Sequence, residues 1–412
     1  MRIGILNFAG HLNHGANLTA YALQRILTLW GHTPENLHLH CNPECHKWDV
    51  YTKFADENIS ISDRSAAGVG DMQKFNADYE AFIVGSDQVW REANTEGPGW
   101  KWKTSQYACY HLAFAAPGKR RIAVAASFGN DEYTPPDHIR QSLAAELMRF
   151  SAVSVREKSG IEIVKSLSGV DAEQLVDPVF YLEPEEWGKF CKTDSQQGKK
   201  RKTIAYNSFY HEDLLSQLLE TFGNEYDMID LRLCDTYEWL STIRDADFVI
   251  SDSFHVACFS LILGTPFACL LPEGKGEARF VSLQQQMGYD ECRNIYPSQA
   301  DDIISLIRSI MQVPLDVEFI YANMQHHRKI AHDWLQSALK SPVPQWSGAP
   351  YRRATRTEQK QEIMNNPAAW KCHVVNRNLR VVKLLLAVSP FGRSFLKRKK
   401  AFYVEILDRM AW

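Results

Sequence analysis

The chain has 412 residues, enough for two domains and an appendage, and its 45% hydrophobic and 23% charged residues allow an ordinary globular core rather than a disordered or fibrous chain. The nine cysteines are odd in number and scattered, which argues against a disulfide framework and predicts reduced thiols in the cytoplasm. The net charge is −3, no apolar run reaches about 18 residues, and the first residues show no signal-peptide pattern, so we expect neither a membrane-spanning helix nor secretion.

Strands and helices alternate in the first half of the chain, which predicts a doubly wound parallel sheet. Apolar residues at positions 23, 26, 27 and 30 share one helical face, and Gly31 follows as a C-cap. The predicted strands are 2–8, 81–85, 122–127 and 152–156, and the predicted helices are 18–30 and 160–167.

A polar and basic segment, 188–203, is expected to link this lobe to a second α/β unit. The strands predicted in the second unit are 203–207, 227–231, 248–251 and 267–271, and the helices are 212–222, 236–244, 255–263, 300–311 and 320–340. The sequence therefore predicts an α/β fold with two lobes, 1–187 and 203–340, a cleft between them, and a basic, mainly helical tail, 341–412.

The stretch ADFVISDSFHVACFSLILGTPF, residues 246–267, is typical of a buried strand, a polar turn and an apolar helix that ends at Gly264. Ser253 and His255 then lie at the mouth of the helix, where free N–H groups and the helix dipole favour an anion. Ligands also bind at the carboxyl ends of strands in open α/β sheets. His255 is thus placed to exchange a proton beside a bound phosphate or carboxylate. The alternative is that Ser253 is an ordinary N-cap and that His255 merely packs in the core.

Several motifs follow one another along the chain, namely HGANLTAYALQ (14–24), FIVGSDQVW (82–90), ASFG (126–129), SVREKSG (154–160), VDPVFYL (176–182), ISDSFHVACFSLILGTPF (250–267) and EARFVSLQQQMG (277–288). As an ordered set they resemble the polysaccharide pyruvyl transferase family over roughly residues 3–330. Two positions differ from the usual family pattern, because His14 replaces a tyrosine and Val256 replaces the glycine after the histidine. The resemblance implies two Rossmann-like lobes similar to those of GT-B glycosyltransferases, phosphoenolpyruvate as donor, and a pair of sugar hydroxyls as acceptor.

Ketal formation from phosphoenolpyruvate needs an acid, groups that hold a carboxylate and a phosphate, and an acceptor for hydroxyl protons. A histidine titrates near neutrality, and the resemblance assigns the acid to His255. Ser253 and the N–H groups that follow it would cradle the phosphate. No metal and no cofactor is required, because cationic side chains can hold both anionic groups.

Two arginines are candidates for binding the donor. Arg156, at the end of a predicted strand, suits a bidentate grip on a carboxylate or phosphate. Its alternative is a salt bridge to Glu157 or Asp177. Arg279 is a second candidate, with an ordinary surface residue as the alternative.

Polar residues of the first lobe are candidates for the acceptor side. Asp87 and Gln88 follow a predicted strand, where either side chain could bind an acceptor sugar and Asp87 could activate its hydroxyl. The alternative is a capping aspartate beside a core residue, Trp90. Asn17 is either the N-cap of the first helix, which the pattern favours, or an acceptor contact.

The histidines and cysteines of residues 38–48, HLHCNPECHKW, suggest a zinc site, but zinc ligand sets usually need a second paired cluster. We therefore expect no metal. The segment HGANLTAYALQ lacks both G-x-G-x-x-G and a Walker lysine, so it is no established nucleotide motif.

Residues 341–412 hold 14 Lys+Arg and 4 Asp+Glu, a net charge of +10, which leaves 32 and 45, a net charge of −13, for residues 1–340. Within this tail, residues 377–400 mix bases with a short apolar run, and Phe391, Phe395 and Phe402 are suitable anchors in a headgroup region. We expect the tail to bind an anionic membrane surface. The alternative is an amphipathic helix packed on the body or on another subunit. Nucleic acid is not expected as a partner, because the body is acidic.

These features predict a cytoplasmic pyruvyl transferase, peripheral on the inner face of the cell membrane. Its acceptor would be a sugar of a cell-surface polysaccharide or of its lipid-linked precursor. The alternatives are a GT-B-like glycosyltransferase that uses a nucleotide sugar, and a non-catalytic family member that binds glycan or scaffolds an assembly complex.

Overall fold

The computed structural model describes residues 1–10, 13–39, 49–91, 107–134, 137–192, 201–272, 274, 276–300 and 302–345. The chain divides into two compact units, Met1–Tyr351 and Arg352–Trp412, and every described residue belongs to the first. The expectations for the tail beyond residue 345, and for most of residues 38–48, therefore lie outside the described residues.

The first lobe is built on a seven-stranded sheet in which all neighbouring strands are parallel. Its strands are β1 (Arg2–Leu6), β2 (Thr33–Leu39), β3 (Ile61–Ala66), β4 (Ala81–Val84), β5 (Arg120–Ala126), β6 (Ala152–Val155) and β7 (Glu173–Gln174). Its helices are α1 (His14–Leu29), α2 (Asp49–Asn58), α3 (Val69–Met72), α4 (Asp137–Leu147), α5 (Ser159–Ser168) and α6 (Pro184–Gly188). The strand order is β3-β2-β1-β4-β5-β6-β7.

The second lobe is a five-stranded parallel sheet with its own helices. Its strands are β8 (Thr203–Asn207), β9 (Asp227–Asp230), β10 (Phe248–Ser251), β11 (Phe267–Leu270) and β12 (Asn294–Ile295). Its helices are α7 (Glu212–Phe222), α8 (Thr236–Asp245), α9 (Phe254–Leu263), α10 (Ala278–Met287), α11 (Ile303–Met311) and α12 (Val317–Ala338). The strand order is β12-β11-β10-β8-β9.

The two strand orders confirm the predicted α/β fold with two Rossmann-like lobes. The order reverses between β1 and β4 in the first sheet and between β8 and β10 in the second. Such switch points open a crevice beyond the carboxyl ends of the strands, where ligands of this fold class bind. The crevice residues are those that follow β1, β4, β8 and β10.

Helix α1 begins earlier than predicted, at His14, and its N-cap is Asn13, whose side chain accepts from the Ala16 N–H at 3.3 Å. The prediction that Asn17 caps this helix is therefore wrong. Asn17 is fully buried one turn further on, where its amide oxygen accepts from the Gly10 N–H and its amide nitrogen donates to the Tyr51 carbonyl. The glycine and the small residues of the first turn hid the true start from a pattern of apolar spacing.

The lobes pack directly on each other. One hydrophobic cluster contains residues of both, and the rings of Trp187 and Phe259 meet at a centroid distance of 5.0 Å. Helix α12 also connects the two lobes. Its Arg328 donates to the carbonyls of Phe180 and Leu182 at 2.9 and 3.0 Å and forms an ion pair with Glu183. Within the described ranges, no helix is long and apolar enough to cross a membrane.

Candidate functional site

Helix α9 brings the predicted histidine to the boundary between the lobes. Ser253 takes the N-cap position with extended backbone, but its hydroxyl makes no capping hydrogen bond. The C-terminal end of α9 is closed by Gly264 in the left-handed conformation, as expected. Val256 is 1% exposed and packs in the core, so its branched side chain does not line the helix mouth.

His255 reaches across to the first lobe. Its Nε2 lies 3.1 Å from the Thr19 hydroxyl and 3.7 Å from Oδ2 of Asp177, and the residue is only 6% exposed. Thr19 in turn donates to Oδ1 of Asp177 at 3.0 Å. A histidine of one lobe is thus fixed by a hydroxyl and a carboxylate of the other.

Asp177 is the carboxylate on which these contacts converge. It follows β7 and accepts hydrogen bonds from the hydroxyls of Thr19 and Ser86, each at 3.0 Å, and from Arg156 at 2.6 Å. Burial alone would raise the pKa of Asp177, but its hydrogen bond with His255 and the charge of Arg156 outweigh burial and hold that pKa below the ordinary value. Asp177 therefore stays ionised although it is 1% exposed.

Arg156 follows β6 and lies beside the residue before the histidine. Its Cζ is 4.3 Å from the ring centroid of Phe254, and its Nη1 holds Asp177, so the predicted alternative of a salt bridge is observed. Burial alone would lower the pKa of Arg156. The negative charges of Asp177, Glu157 and Asp87 have the larger effect and hold that pKa above the ordinary value. Its Nε and Nη2 are buried without a hydrogen-bond partner among the described residues.

Arg279 comes from the second lobe to the same aromatic ring. Its Cζ is 5.8 Å from the centroid of Phe254, and its Nε donates to the Gly276 carbonyl at 2.9 Å. It is 6% exposed, so the alternative of an ordinary surface residue is wrong. Burial and the nearby charge of Arg156 lower the pKa of Arg279 to about 10. Arg279 forms no ion pair within the part of the chain that the structure describes.

Asp87 lies at the edge of this cluster, and the side chain of Gln88 contacts Arg91. Oδ1 of Asp87 is 3.6 Å from Nη2 of Arg156, and its backbone has a φ of 74°, a strained value that aspartate tolerates better than most residues. The side chain of Gln88 accepts from Arg91 at 2.7 Å. The structure thus groups His255, Arg156, Arg279 and Asp87, whereas Gln88 and Asn17 are engaged elsewhere.

A comparison with protein families gives one decisive match. The model of the family described as polysaccharide pyruvyl transferase matches residues 13–273, which include every side chain of this cluster except Arg279. The chain belongs to this family. It is therefore related to transferases that act on a polysaccharide. No curated protein matches the chain.

Several solved structures are similar in outline. A UDP-GlcNAc 2-epimerase from Neisseria meningitidis is 9% identical, with 82% of this chain and 100% of that chain covered and a TM-score of 0.47. An alpha-glucosyltransferase in complex with UDP is 11% identical, with 82% and 96% covered and a TM-score of 0.41. The spinosyn forosaminyltransferase SpnP is 12% identical, with 81% and 95% covered and a TM-score of 0.41. The strand orders, rather than these likenesses, define the fold of this pyruvyl transferase family member.

The close packing of His255, rather than the backbone conformation, requires glycine at position 15. A Cβ built on Gly15, in the first turn of α1, would lie 2.1 Å from Cγ and 2.2 Å from Nδ1 of His255. We expect Gly15→Ala to displace the imidazole and to lower the free energy of unfolding by about 1–3 kcal/mol, the usual cost of overpacking. Denaturant unfolding measures this change.

Gly70→Ala is the matched control, because Gly70 is also helical and a Cβ there meets nothing within 4 Å. It should stabilise the protein by about 0.5–1 kcal/mol, since alanine is the better helix former. Equal effects of the two substitutions would contradict the close approach of Gly15 to His255.

His14, the neighbouring departure from the family pattern, has a structural role. Its Nδ1 lies 2.9 Å from the Thr236 hydroxyl of the second lobe, and its ring packs against Tyr51 and Trp239. Burial lowers the pKa of His14 to about 3 from 6.5. In the unfolded chain, His14 therefore binds a proton near pH 6.5, whereas in the folded chain it binds that proton only near pH 3.

This difference predicts that acid weakens folding. The contribution of neutral His14 is complete above pH 6.5 and is lost as the pH falls toward about 3, at about 1.4 kcal/mol per pH unit. His111, fully buried with its pKa also lowered to about 3 by burial, acts in the same direction. Urea unfolding between pH 7 and 4 should show a shallower pH dependence for His14→Phe than for the wild-type protein. An unchanged slope would mean that His14 is not buried in its neutral form.

The sequence does not single out the two residues that contact Nε2 of His255, Thr19 and Asp177, as functional. Thr19 lies inside α1, where nothing in the spacing marks a contact to the other lobe. Asp177 was considered only as a partner for Arg156, although the motif VDPVFYL contained it. Asp252, in the predicted polar turn, holds a loop of the second lobe, because its Oδ2 accepts from the N–H groups of Phe209 and Tyr210 at 2.7 and 2.8 Å.

The described residues form no metal site, and an open cavity of the structure lies away from the cluster around His255. In the described ranges, no group of three or more His, Cys, Asp or Glu side chains is placed to hold a metal ion. An open cavity of about 580 Å³ is lined by Lys119, Arg121, Arg149 and residues 343–345, near the start of β5 and thus at the opposite edge of the sheet from His255. The cysteines of the described part form no disulfide with one another, namely Cys109, Cys191, Cys234, Cys258, Cys269 and Cys292.

Proposed function

We propose that this protein transfers pyruvyl from phosphoenolpyruvate to two hydroxyls of a sugar in a cell-surface polysaccharide or its lipid-linked precursor. The observation that carries the proposal is the pair of buried arginines, one from each lobe, that meet over Phe254 beside His255. The family supplies the transferase class and the polysaccharide.

The donor carries a carboxylate and a phosphate, and the cluster offers cationic donors for both. Arg279 forms no ion pair among the described residues, and Nε and Nη2 of Arg156 lie 3.6 Å from Glu157 and Asp87 without making a hydrogen bond. Mutual repulsion of two buried guanidinium groups is relieved by a bound anion, and arginine forks match carboxylate and phosphate. Ser253 and the free N–H groups at the start of α9 would hold the phosphate.

The reaction begins when His255 gives a proton to the methylene carbon of phosphoenolpyruvate. The electrons of the C=C bond form the new C–H bond, and positive charge develops on the adjacent carbon. One sugar hydroxyl attacks that carbon, phosphate leaves with the C–O electron pair, and the second hydroxyl closes the ketal. Of the two hydroxyl protons released, one replaces the proton given by His255 and the other leaves with the phosphate.

The acceptor side of this proposal rests on Asp87, which would accept a hydroxyl proton at the edge of the cluster. Asn17 and Gln88 stay predictions as acceptor contacts, although their side chains hold backbone groups and Arg91 respectively. The reaction as proposed needs no cofactor.

Donor binding tests the proposal. Calorimetry should show that phosphoenolpyruvate binds the wild-type protein and that Arg279→Gln weakens binding by about 10- to 100-fold, the value of one to two charge-assisted hydrogen bonds. Arg156→Lys should also weaken binding, because lysine keeps the charge but not the fork. Arg308→Gln is the control, because Arg308 lies in α11 and forms an exposed ion pair with Glu225.

Three outcomes separate the candidate functions. Stabilisation by phosphoenolpyruvate in a thermal-shift assay, followed by a pyruvyl mass increase on a lipid-linked or nucleotide-linked sugar, supports the transfer. Stabilisation by nucleotide sugars alone would support a glycosyltransferase instead. Binding of glycan alone would support a non-catalytic family member.

The tail 341–412 supports a second part of the proposal, namely attachment to an anionic membrane on the cytoplasmic side. Its net charge of +10 contrasts with −13 for the rest of the chain. Removing the tail should abolish co-sedimentation with anionic liposomes and leave donor binding intact. High salt should weaken attachment, because the Debye length shrinks to about 3 Å at 1 M. Equal sedimentation of both forms, or of neither, would favour a tail packed on protein.

A further inference from the structure

The hydrogen-bond network around Asp177 determines where protons can lie. An ionised carboxylate only accepts hydrogen bonds, and a threonine hydroxyl has one proton to give. Thr19 is 3.0 Å from Oδ1 of Asp177, so its proton belongs to that bond. The Thr19 oxygen is then left with lone pairs toward Nε2 of His255, 3.1 Å away. Nε2 must therefore carry a hydrogen, whether the imidazole is neutral or charged.

The other ring nitrogen has a different environment. Among the residues that the structure describes, Nδ1 of His255 has no hydrogen-bond partner. The first turn of α1 packs closely against this part of the ring, and the approach is possible because Gly15 contributes no side chain. The ring edge that includes Nδ1 is thus the edge from which a proton can move without breaking the contacts to Thr19 and Asp177.

From this arrangement we propose that Nδ1 of His255 is the atom that delivers the proton to the donor, and that Thr19 and Asp177 are positioning residues that keep Nε2 protonated. The inference rests on the proposed function and adds the atom and its partners. The ring gives its Nδ1 proton to the methylene carbon and keeps the N–H electron pair. It becomes a neutral imidazole with Nε2–H still bonded to Thr19, and a proton from an acceptor hydroxyl restores Nδ1–H.

The tautomer of the His255 ring can be measured without an acceptor sugar. Protein labelled with ¹⁵N-histidine gives two-bond ¹H–¹⁵N spectra in which the two neutral tautomers differ, and the signals of His255 are those missing from His255→Gln. We expect the neutral ring to be the Nε2–H form. Thr19→Val should mix the two tautomers, whereas Thr19→Ser should preserve the wild-type form.

Turnover provides the second readout. Turnover is measured with phosphoenolpyruvate and the acceptor identified by mass spectrometry. Thr19→Val should lower kcat by about 10- to 100-fold, the usual effect of removing the side chain that orients a functional histidine. KM for phosphoenolpyruvate should change less than about threefold, because Thr19 does not touch the donor, and Thr19→Ser should restore kcat. Thr265→Val is the matched control, since Thr265 is also a buried threonine, and its hydroxyl donates to the Ile243 carbonyl beyond the opposite end of α9 from His255.

Two results overturn the inference. One is a neutral wild-type ring in the Nδ1–H form, and the other is a Thr19→Val protein with wild-type spectrum and turnover. Absence of pyruvyl transfer by the wild-type protein is a separate result. It would overturn the proposed function and the delivery step with it, while the spectrum alone would still decide whether Thr19 and Asp177 fix the ring.

Discussion

Replacing His255 with glutamine is expected to lower turnover by about 10²- to 10⁴-fold, the usual contribution of a positioned general acid. Glutamine keeps an amide N–H that can bond to Thr19, so the packing between the lobes should survive. Its side-chain amide is not an acid in water, so glutamine cannot supply the proton. The affinity for phosphoenolpyruvate should change little, because the arginines over Phe254 are unchanged.

His332→Gln is the control for this experiment. His332 lies in α12, half-buried, with its Nε2 2.9 Å from the Tyr181 carbonyl, and it has no contact with the cluster around His255. Its turnover should stay within about threefold of the wild-type value. If His255→Gln also stays within about threefold, His255 is not the acid, and the alternative of a packed core histidine is correct.

Replacing Asp177 with asparagine is expected to lower the free energy of unfolding by about 3–5 kcal/mol. The substitution leaves the buried guanidinium of Arg156 without its closest counter-charge, 2.6 Å away. Asparagine also brings an N–H₂ group toward hydroxyls and an arginine that all donate to this position. Chemical denaturation at neutral pH measures the loss.

Acid should reduce the difference between this variant and the wild-type protein. Because the pKa of Asp177 is lower in the folded than in the unfolded chain, its contribution is complete above the ordinary value of 3.8 and is lost as the pH falls through the folded value. Asp171→Asn is the matched control, since Asp171 pairs with Lys165 on the surface and should cost less than about 1 kcal/mol. A loss as small as this for Asp177→Asn would rule out the central role of that carboxylate.

The strand and helix around His255 could be predicted from the sequence because local signals agreed. Residues 248–251 are apolar, a polar turn follows, and Gly264 ends the helix, so the bounds of β10 and α9 were correct to within one residue. Strand β2 was missed because its sequence, TPENLHL, contains polar residues that are buried. Asn36, for example, is fully buried and bonded to Asn7, a tertiary contact that no alternation of side chains reveals.

The candidate site was predictable only as far as residue types suggest chemistry. His255, Arg156 and Arg279 were named because a phosphate and a carboxylate need such groups, and the fold brings them together over Phe254. Thr19 could not be named, because a threonine inside an amphipathic helix has no special pattern and its partners are 158 and 236 positions away in the chain. The error at Asn17 has a local origin, since the small residues after Asn13 conceal the true start of α1 and leave Asn17 one turn inside the helix.

The burial of the site has a consequence for the fate of the donor. His255, Asp177 and Arg279 are each less than a tenth exposed, and the contact between His14 and Thr236 closes the lobes beside them. Once its methylene carbon is protonated, phosphoenolpyruvate reacts with whichever oxygen is nearest, and a water molecule there would yield pyruvate and phosphate. Closed lobes leave little room for that water. In the proposed reaction, the tight boundary between the lobes would protect the donor from hydrolysis, and Arg328 holds the lobes together at the carbonyls of Phe180 and Leu182.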